Sequence, residues 1–279
     1  MSPKVSVLTS VYNGEKYIKE CVDSILNQTF SDFEYVILND GSIDQTRNIL
    51  EKYTDPRLRI VHQENLGIPK SLNKGVSLCR TDLIAHLDAD DYVHSHWLEK
   101  QLDFMNQNQD LVFCGSQFEE LFNGKLYSQS YPFVEKDYKI RESLCFMNCI
   151  PHSFTIIRKP LFLKVGGYDL NLIVAHDYDL WIRLLEKGKG HNLSENLGVL
   201  RIHEESISTK KERVMIQEVF QIQWRAYQKL GGSFWKMVGS LSRRALAWVL
   251  PVGMRSHLRS TIRRGTADKQ NSCGFFSLI

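Results

Sequence analysis

The stretch Leu83-Ile84-Ala85-His86-Leu87-Asp88-Ala89-Asp90-Asp91 joins an apolar strand to three carboxylates in four positions. Carboxylates this close repel one another and tolerate burial poorly, so such a cluster survives at the mouth of a site where a divalent cation offsets the charge. That chemistry points to phosphates. A solvated acidic turn capping a helix that begins near Ser95 also accounts for an isolated triplet of this kind, so the flanking sequence has to decide.

Working outward, strand and helix patterns alternate. Lys4 to Ser10 reads as a strand, and Lys16 to Gln28 as a helix with Tyr17, Ile18, Cys21, Val22, Ile25 and Leu26 on one face. Phe33 to Asn39 is a second strand, after which Ser42 and Gln45 have the spacing of a capping box opening a helix through Thr46, Ile49 and Leu50. Leu58 to His62 gives a third strand, Ile68 to Leu78 a helix, and Leu83 to Leu87 the fourth strand. Such alternation predicts an α/β fold: a Rossmann-like, mostly parallel sheet with right-handed crossovers and helices on both faces. Ligands bind such sheets beyond the carboxyl ends of the strands, where Thr9 to Glu15, Asn39 to Ser42 and Asp88 to Asp91 all fall. Downstream, the pattern predicts a helix over Trp97 to Asn106, a strand over Leu111 to Gly115 and a hairpin from Glu119 to Ser128 turning at Asn123-Gly124. A strand over Ser153 to Ile157 follows, then an amphipathic helix over Asp177 to Glu186 with Leu180, Trp181, Leu184 and Leu185 inward.

Asn39-Asp40-Gly41-Ser42 places a carboxylate at a strand end beside a flexible glycine. It can accept from a base N–H or ribose hydroxyls, and it equally suits an ordinary turn. The motifs in combination are more specific. Leu8-Thr9-Ser10-Val11-Tyr12-Asn13, Leu38-Asn39-Asp40-Gly41-Ser42 with Asp44 and Thr46, Asn65-Leu66-Gly67 with Asn73-Lys74-Gly75, and Leu87-Asp88-Ala89-Asp90-Asp91 closely resemble, in order and spacing, the family 2 glycosyltransferases with a GT-A fold. The resemblance spans about Pro3 to Arg201.

The resemblance implies roles for individual residues. Thr9, Val11 and Tyr12, with Asn13 beside them, frame the nucleotide base, and Asp40 binds base or ribose. In the Asp-x-Asp motif Asp88 takes the ribose, with Ala89 alongside, and Asp90 holds Mn²⁺ or Mg²⁺. Asp91 caps the next helix or supports the site from behind. Lys74 is a further cationic contact or a solvated helix lysine. Ala175-His176-Asp177-Tyr178-Asp179-Leu180-Trp181 resembles the family's Glu-Asp segment, which makes Asp177 the general base of an inverting reaction and ranks Asp179, on another helix face, below it. His176 replaces the family's usual Glu. Gly167 and Tyr168 match the acceptor-side loop, where Tyr168 is expected to stack on a sugar ring, and His176 and Trp181 are expected nearby. Arg201-Ile202-His203-Glu204-Glu205-Ser206-Ile207-Ser208 resembles the family's final motif and makes His203 a third candidate at the metal. His152 reads as a hydrogen-bonded structural histidine.

Composition bounds the setting. The 279 residues are 43% hydrophobic, enough for a substantial core. Six scattered cysteines read as free thiols in a reducing cytosol, and Met1-Ser2-Pro3-Lys4 leads into a strand without a signal-peptide pattern. Residues 219–267 hold nine Arg and Lys with no Asp or Glu; as the whole chain is +3 and residues 268–279 cancel, Met1 to Glu218 carries about −6. The acidic body argues against nucleic acid as a partner.

The expected organisation is therefore a GT-A domain over residues 1–208, with a nucleotide half to about 115 and an acceptor half beyond it, and a helical basic extension over 209–279. Within that extension residues 234–264 interleave tryptophans and arginines, suited to an anionic membrane surface or to packing on the domain. The expected activity is metal-dependent transfer from a nucleotide-diphosphate sugar, a UDP-sugar first, to a glycan or lipid-linked acceptor at the cytoplasmic face. Transfer to polyprenyl phosphate, where the acceptor is already ionised, is the rival enzyme. A non-catalytic nucleotide-sugar-binding protein is the other rival, and intact Asp40, Asp88, Asp90 and Asp177 argue against it.

Overall fold

Every residue of strand β1 (Val5–Val11) except Ser10 is buried, because the strand is covered on both faces. A computed structural model describes residues 3–129, 133–203 and 211–249. After β1 come α1 (Ile18–Leu26), β2 (Phe33–Asp40), α2 (Thr46–Leu50), β3 (Leu58–Gln63), α3 (Ile68–Leu78) and β4 (Leu83–His86), the predicted alternation. Next are β5 (Tyr92–Val93), α4 (Trp97–Gln107), β6 (Leu111–Phe122), β7 (Lys125–Ser128), α5 (Asp137–Ser143), β8 (Thr155–Arg158), α6 (Lys159–Lys164), α7 (His176–Leu185) and β9 (Lys189–Arg201). Two helices, α8 (Glu212–Leu230) and α9 (Phe234–Val249), complete the described chain.

The strands form one sheet in the order β3-β2-β1-β4-β8-β6-β9-β5, with β7 paired to β6. The first four are parallel, Val7 lying beside both Tyr35 and Ala85. Strand β8 runs antiparallel between β4 and β6. Alternation in β1 and β2 sends Val5, Val7, Tyr35 and Ile37 toward a core shared with α1 and α4, and Leu8, Val36 and Leu38 toward the core shared with α3, α7 and α8.

Several local predictions need adjustment. The Asn123-Gly124 turn forms as expected, both residues having positive φ (49° and 73°), and it joins β6 to β7. The strand predicted at Leu111 and the hairpin arm at Glu119 are one continuous strand with irregular pairing around Ser116 and Gln117. Ser42 does not cap α2. Its hydroxyl accepts from the Asn13 N–H (2.9 Å), while Asp44 accepts from the N–H groups of Thr46 and Glu15 (3.0 Å each). The Asp44 carboxylate reaches the turn before α2 and the loop after β1 at once, welding the β1 end to the β2 end.

Helices α8 and α9 share the main core, through Val219, Ile222, Ala226 and Met237, so the chain after residue 208 is continuous with the domain as far as it is described.

Candidate active site

Parallel pairing brings the ends of β1, β2 and β4 to one edge. At the first, Thr9 and Val11 are buried, and the Thr9 hydroxyl is committed to the Leu87 carbonyl (2.8 Å) and the Tyr35 hydroxyl (3.0 Å). Inward-pointing strand positions cannot also face a ligand, so these two support the floor, and Tyr12 and Asn13 are the exposed members of the expected quartet. Asn13 has a φ of 54°, a left-handed turn secured by its side chain, which accepts the Ile43 N–H at 3.0 Å. Asp40 is buried and accepts from Gln63 Nε2 (2.7 Å) and the N–H groups of Leu66 (2.8 Å) and Gly67 (3.0 Å). It locks the loop after β3 beside Gly41, where a Cβ would lie 2.6 Å from the Asn65 nitrogen. Lys74 lies exposed on α3.

The acidic run divides into three environments. Asp88 Oδ1 lies 2.9 Å from His86 Nε2 and 3.4 Å from His152 Nδ1, and its backbone N–H donates to Ser153 Oγ at 3.0 Å. Burial pushes its pKa up, but the charges and hydrogen bonds of His152 and His86 outweigh burial and hold the carboxyl well below the usual range. Ala89 is partly buried against the apolar core. Asp90 Oδ2 is 2.8 Å from His203 Nε2, joining residues 113 apart in sequence. This contact is built by β5, which pairs Tyr92 with Val199 and Val93 with Gly198 and so brings the end of β9 alongside the acidic loop. Asp91 is buried rather than capping α4, whose start has no side-chain cap. It accepts from Ser153 Oγ (2.6 Å) and the Arg201 N–H (2.8 Å). Burial, then the charges of Asp90 and Asp88, push its carboxyl well above the ordinary range.

Asp90 and His203 fit a divalent cation. One carboxylate oxygen and one imidazole nitrogen already face each other, the ring rests against Tyr17 (5.1 Å between centroids), and the remaining ligands of Mn²⁺ or Mg²⁺ are ordinarily water and phosphate oxygens. Among the described residues the buried His203 Nδ1 has no hydrogen-bond partner. Residues 204–208 of the last predicted motif lie outside the described residues.

At the start of α7, Asp177 is half-buried and accepts from Asn148 Nδ2 at 2.9 Å. Asp179 is fully buried and paired with Arg183 (2.7 Å) and Arg225, so it is already neutralised and faces the interior. The loop leading into α7 is clamped by Glu218 of α8, whose carboxylate accepts the N–H groups of Ile173 (2.6 Å), Val174 (3.0 Å) and Ala175 (2.8 Å). His152 stands between the two halves of the site. Burial disfavours its charged form, yet Asp88 and Asp177 prevail and raise its pKa.

Three acceptor-side expectations are corrected. Tyr168 is buried at 3% exposure, its hydroxyl 2.9 Å from His152 Nε2, and so has no free face on which a sugar could stack. Trp181 belongs to the core beside Phe113. His176 is buried, neither ring nitrogen has a hydrogen-bond partner among the described residues, and burial followed by the charge of His152 brings its pKa down to about 4. Apolar packing of α7 against the sheet outweighs the polarity of these side chains. Gly167 has a φ of 69°, and a Cβ there would lie 2.5 Å from Asn73 Oδ1, so this close turn requires glycine.

Sequence reasoning missed Asn148, Ser153, Glu218 and the active part played by His86. Only His86 had a local signal: two residues before Asp88, it shares that residue's strand face. The others act across long separations that no spacing encodes.

A parallel sheet ending in a carboxylate loop, extended through the antiparallel strand β8 to β6 and β9, with the imidazole just past β9 returned to that loop, defines a GT-A sugar-nucleotide transferase fold. The glycosyl transferase family 2 model matches residues 6–166, and the chain belongs to that family. It is 35% identical over 233 residues to the O-antigen biosynthesis glycosyltransferase WbnJ of Escherichia coli, covering 81% of this chain and 89% of that one. It is 30% identical over 234 residues to the Escherichia coli chondroitin synthase, covering 82% of this chain and 33% of that one. Among solved structures, S. aureus TarS 1-349 in complex with UDP-GlcNAc matches with a TM-score of 0.68 at 21% identity, over 88% of this chain and 73% of that one. The Pyrobaculum calidifontis mannosyltransferase PcManGT, in complex with GDP-Man and Mn²⁺, matches with a TM-score of 0.62 at 16% identity, over 95% and 81%.

Proposed function

We propose that this glycosyltransferase moves a sugar, with inversion, from a UDP-sugar to the hydroxyl of a glycan or lipid-linked acceptor in cell-surface polysaccharide synthesis. The observation that carries it is the Asp90–His203 pair beside Asp88, with Asp177 across His152 from that group. Complexes of the fold neighbours with UDP-GlcNAc and with GDP-Man and Mn²⁺ support the donor class, and the O-antigen relative supports the pathway class. In this reading the nucleotide half extends to about residue 115 and the acceptor half to about 208.

Tyr12 and Asn13 border the base, and Asp88, held ionised by its histidines, accepts from the ribose. Asp90 and His203 would hold Mn²⁺ or Mg²⁺, which when bound supplies Lewis-acid stabilisation of the diphosphate leaving group. Asp177, oriented by Asn148, takes the proton from the acceptor hydroxyl as the new bond forms. His152 keeps the two carboxylates from repelling each other across the site. The acceptor contacts fall to groups other than Tyr168 and Trp181, since both are buried.

Replacing Asp177 with Asn keeps the Asn148 contact within reach and removes the base. Transfer is expected to fall by about 10²-fold or more while UDP affinity in Mn²⁺ stays within about twofold. Retained turnover would instead favour a phosphate acceptor, which needs no base, and parallel loss of UDP affinity would refute the assigned role.

A further inference from the structure

The histidines that flank the ribose carboxylate Asp88 form with it a cluster whose chemistry goes beyond the donor and base roles. His86 and Asp88 lie two residues apart on one side of the chain leaving β4, and His152, from the loop before β8, brings its ring to 3.8 Å from that of His86. An imidazole nitrogen from each histidine and a carboxylate oxygen of Asp88 all lie within 4.8 Å of one another. The pairs facing Asp88 Oδ1 are His86 Nε2 at 2.9 Å and His152 Nδ1 at 3.4 Å. These are separations that one ion with bonds of about 2.0–2.2 Å spans with small adjustment.

The surroundings suit an ion. His152 presents its other nitrogen, Nε2, to the Tyr168 hydroxyl at 2.9 Å, the outer contact that fixes the orientation of a ligating imidazole. Ser153 holds the Asp88 backbone at 3.0 Å. His86 is 4% exposed, and the Asp88 side chain, at 42%, leaves one side open for entry. Two imidazoles and a carboxylate form the donor set of Zn²⁺ rather than of Mg²⁺, which prefers oxygen. No ligand is shared with Asp90 and His203, so the two sites can be separated by substitution.

We propose that His86, His152 and Asp88 form a second metal site that binds Zn²⁺ and, when filled, withdraws Asp88 from the donor ribose, making Zn²⁺ an inhibitor that competes with the nucleotide. The competition rests on Asp88 being the ribose contact; the binding of Zn²⁺ does not.

The test uses the full chain, stripped with EDTA and desalted, carrying Asp90→Asn and His203→Gln so that the other pair cannot take the ion. ZnCl₂ titrated against a chromophoric chelator is expected to show one Zn²⁺ per chain, weakened at least about tenfold by adding His86→Leu or His152→Gln. Both histidines are packed inside, so unfolding temperature is checked for each. Zinc-edge X-ray absorption on the chain with the trio intact must also show two imidazole ligands. Absence of a bound ion, a spectrum without the two imidazoles, or binding indifferent to both substitutions in folded protein overturns the site. For the competition, Zn²⁺ should weaken UDP binding to the otherwise unchanged chain at least about tenfold, and His86→Leu should remove that effect. Zinc that binds at the trio without weakening UDP overturns the competition. Failure of UDP to bind with any metal would sink the donor reading while the zinc count stood.

Discussion

Asp88, Asp90 and Asp91 share a loop and have three different electrostatic fates. Asp88 is kept ionised by two imidazoles, whereas Asp91 is driven toward its neutral form by burial and by its two acidic neighbours. Splitting the affinities this way lets three carboxylates coexist, because at most two charges need to be present together. Asp90 is the member with a metal-type partner that is not one of those two imidazoles, and its side chain is 33% exposed against 17% for His203. Its removal should therefore touch binding more than folding. Asp90→Asn is expected to weaken UDP affinity in Mn²⁺ at least about tenfold, to bring it to the level seen for the unchanged protein in EDTA, and to shift unfolding by less than about 1 kcal/mol. Calorimetric UDP titration with and without Mn²⁺ measures the first, and urea unfolding the second. Equal UDP affinity in Mn²⁺ and EDTA for the unchanged protein would remove the metal from the donor site.

Among the elements, the edge of β2 carries an ion-pair network remote from the site. Glu34 accepts from Ser6 Oγ (2.5 Å), the Arg80 N–H (2.6 Å) and Arg80 Nε (2.7 Å), tying β2 to β1 and to the turn before β4. Burial raises its pKa, but these three donors and the Arg80 charge outweigh burial and leave it lowered from 4.5. A depressed folded pKa stabilises the fold above the unfolded value and loses that contribution as pH falls through the folded one. Glu34→Gln should thus cost about 1–3 kcal/mol near pH 7, with the difference from the parent shrinking below about pH 4.5. Urea unfolding at a series of pH values checks it, and a pH-independent difference would assign the loss to packing. The first four strands were legible in the sequence because each combines a period-two or buried apolar run with a turn at its end. Strand β9 was not: Lys-Gly-His-Asn-Leu-Ser-Glu-Asn-Leu-Gly-Val-Leu-Arg is polar for most of its length, and its thirteen residues are held as a strand by pairing with distant partners, mainly β6. Asp40, Asp88, Asp90 and Asp177 could be marked from motif order, but the burial of Thr9, Tyr168, His176 and Trp181 follows from how whole elements pack, which a motif does not carry.

At the scale of the whole molecule, an acidic body is followed by a basic end, and much of the described basic charge is already engaged. Arg225 pairs with Asp179, Lys229 lies 3.5 Å from Glu186, Lys236 is 2.7 Å from Glu142, and Arg244 is buried. The aromatic groups are left outside. Trp224, Phe234 and Trp235 are 49%, 41% and 79% exposed, and with Tyr227 they form a continuous chain of rings spaced 5.5–6.1 Å. No described helix is long and apolar enough to cross a membrane. Such a corner matches interfacial attachment, with rings at headgroup depth, and residues 250–264 of the expected basic segment lie outside the described residues. The attachment to an anionic membrane surface expected from the sequence predicts that this corner is where the bilayer is met. Deleting everything after Ser233 would be a poor test, because Met237 and Ser240 of α9 are buried, the latter 2.8 Å from the Phe146 carbonyl, and their loss would disturb the domain. Trp224→Glu with Trp235→Glu changes only exposed positions. If each ring contributes on the order of 2 kcal/mol at the interface, the pair should lower partition onto phosphatidylglycerol-rich liposomes by well over about tenfold, with UDP affinity unchanged. Flotation of the full chain measures this; a double variant that floats as well as its parent, or a parent that does not float at all, would rule out the aromatic corner as the attachment surface.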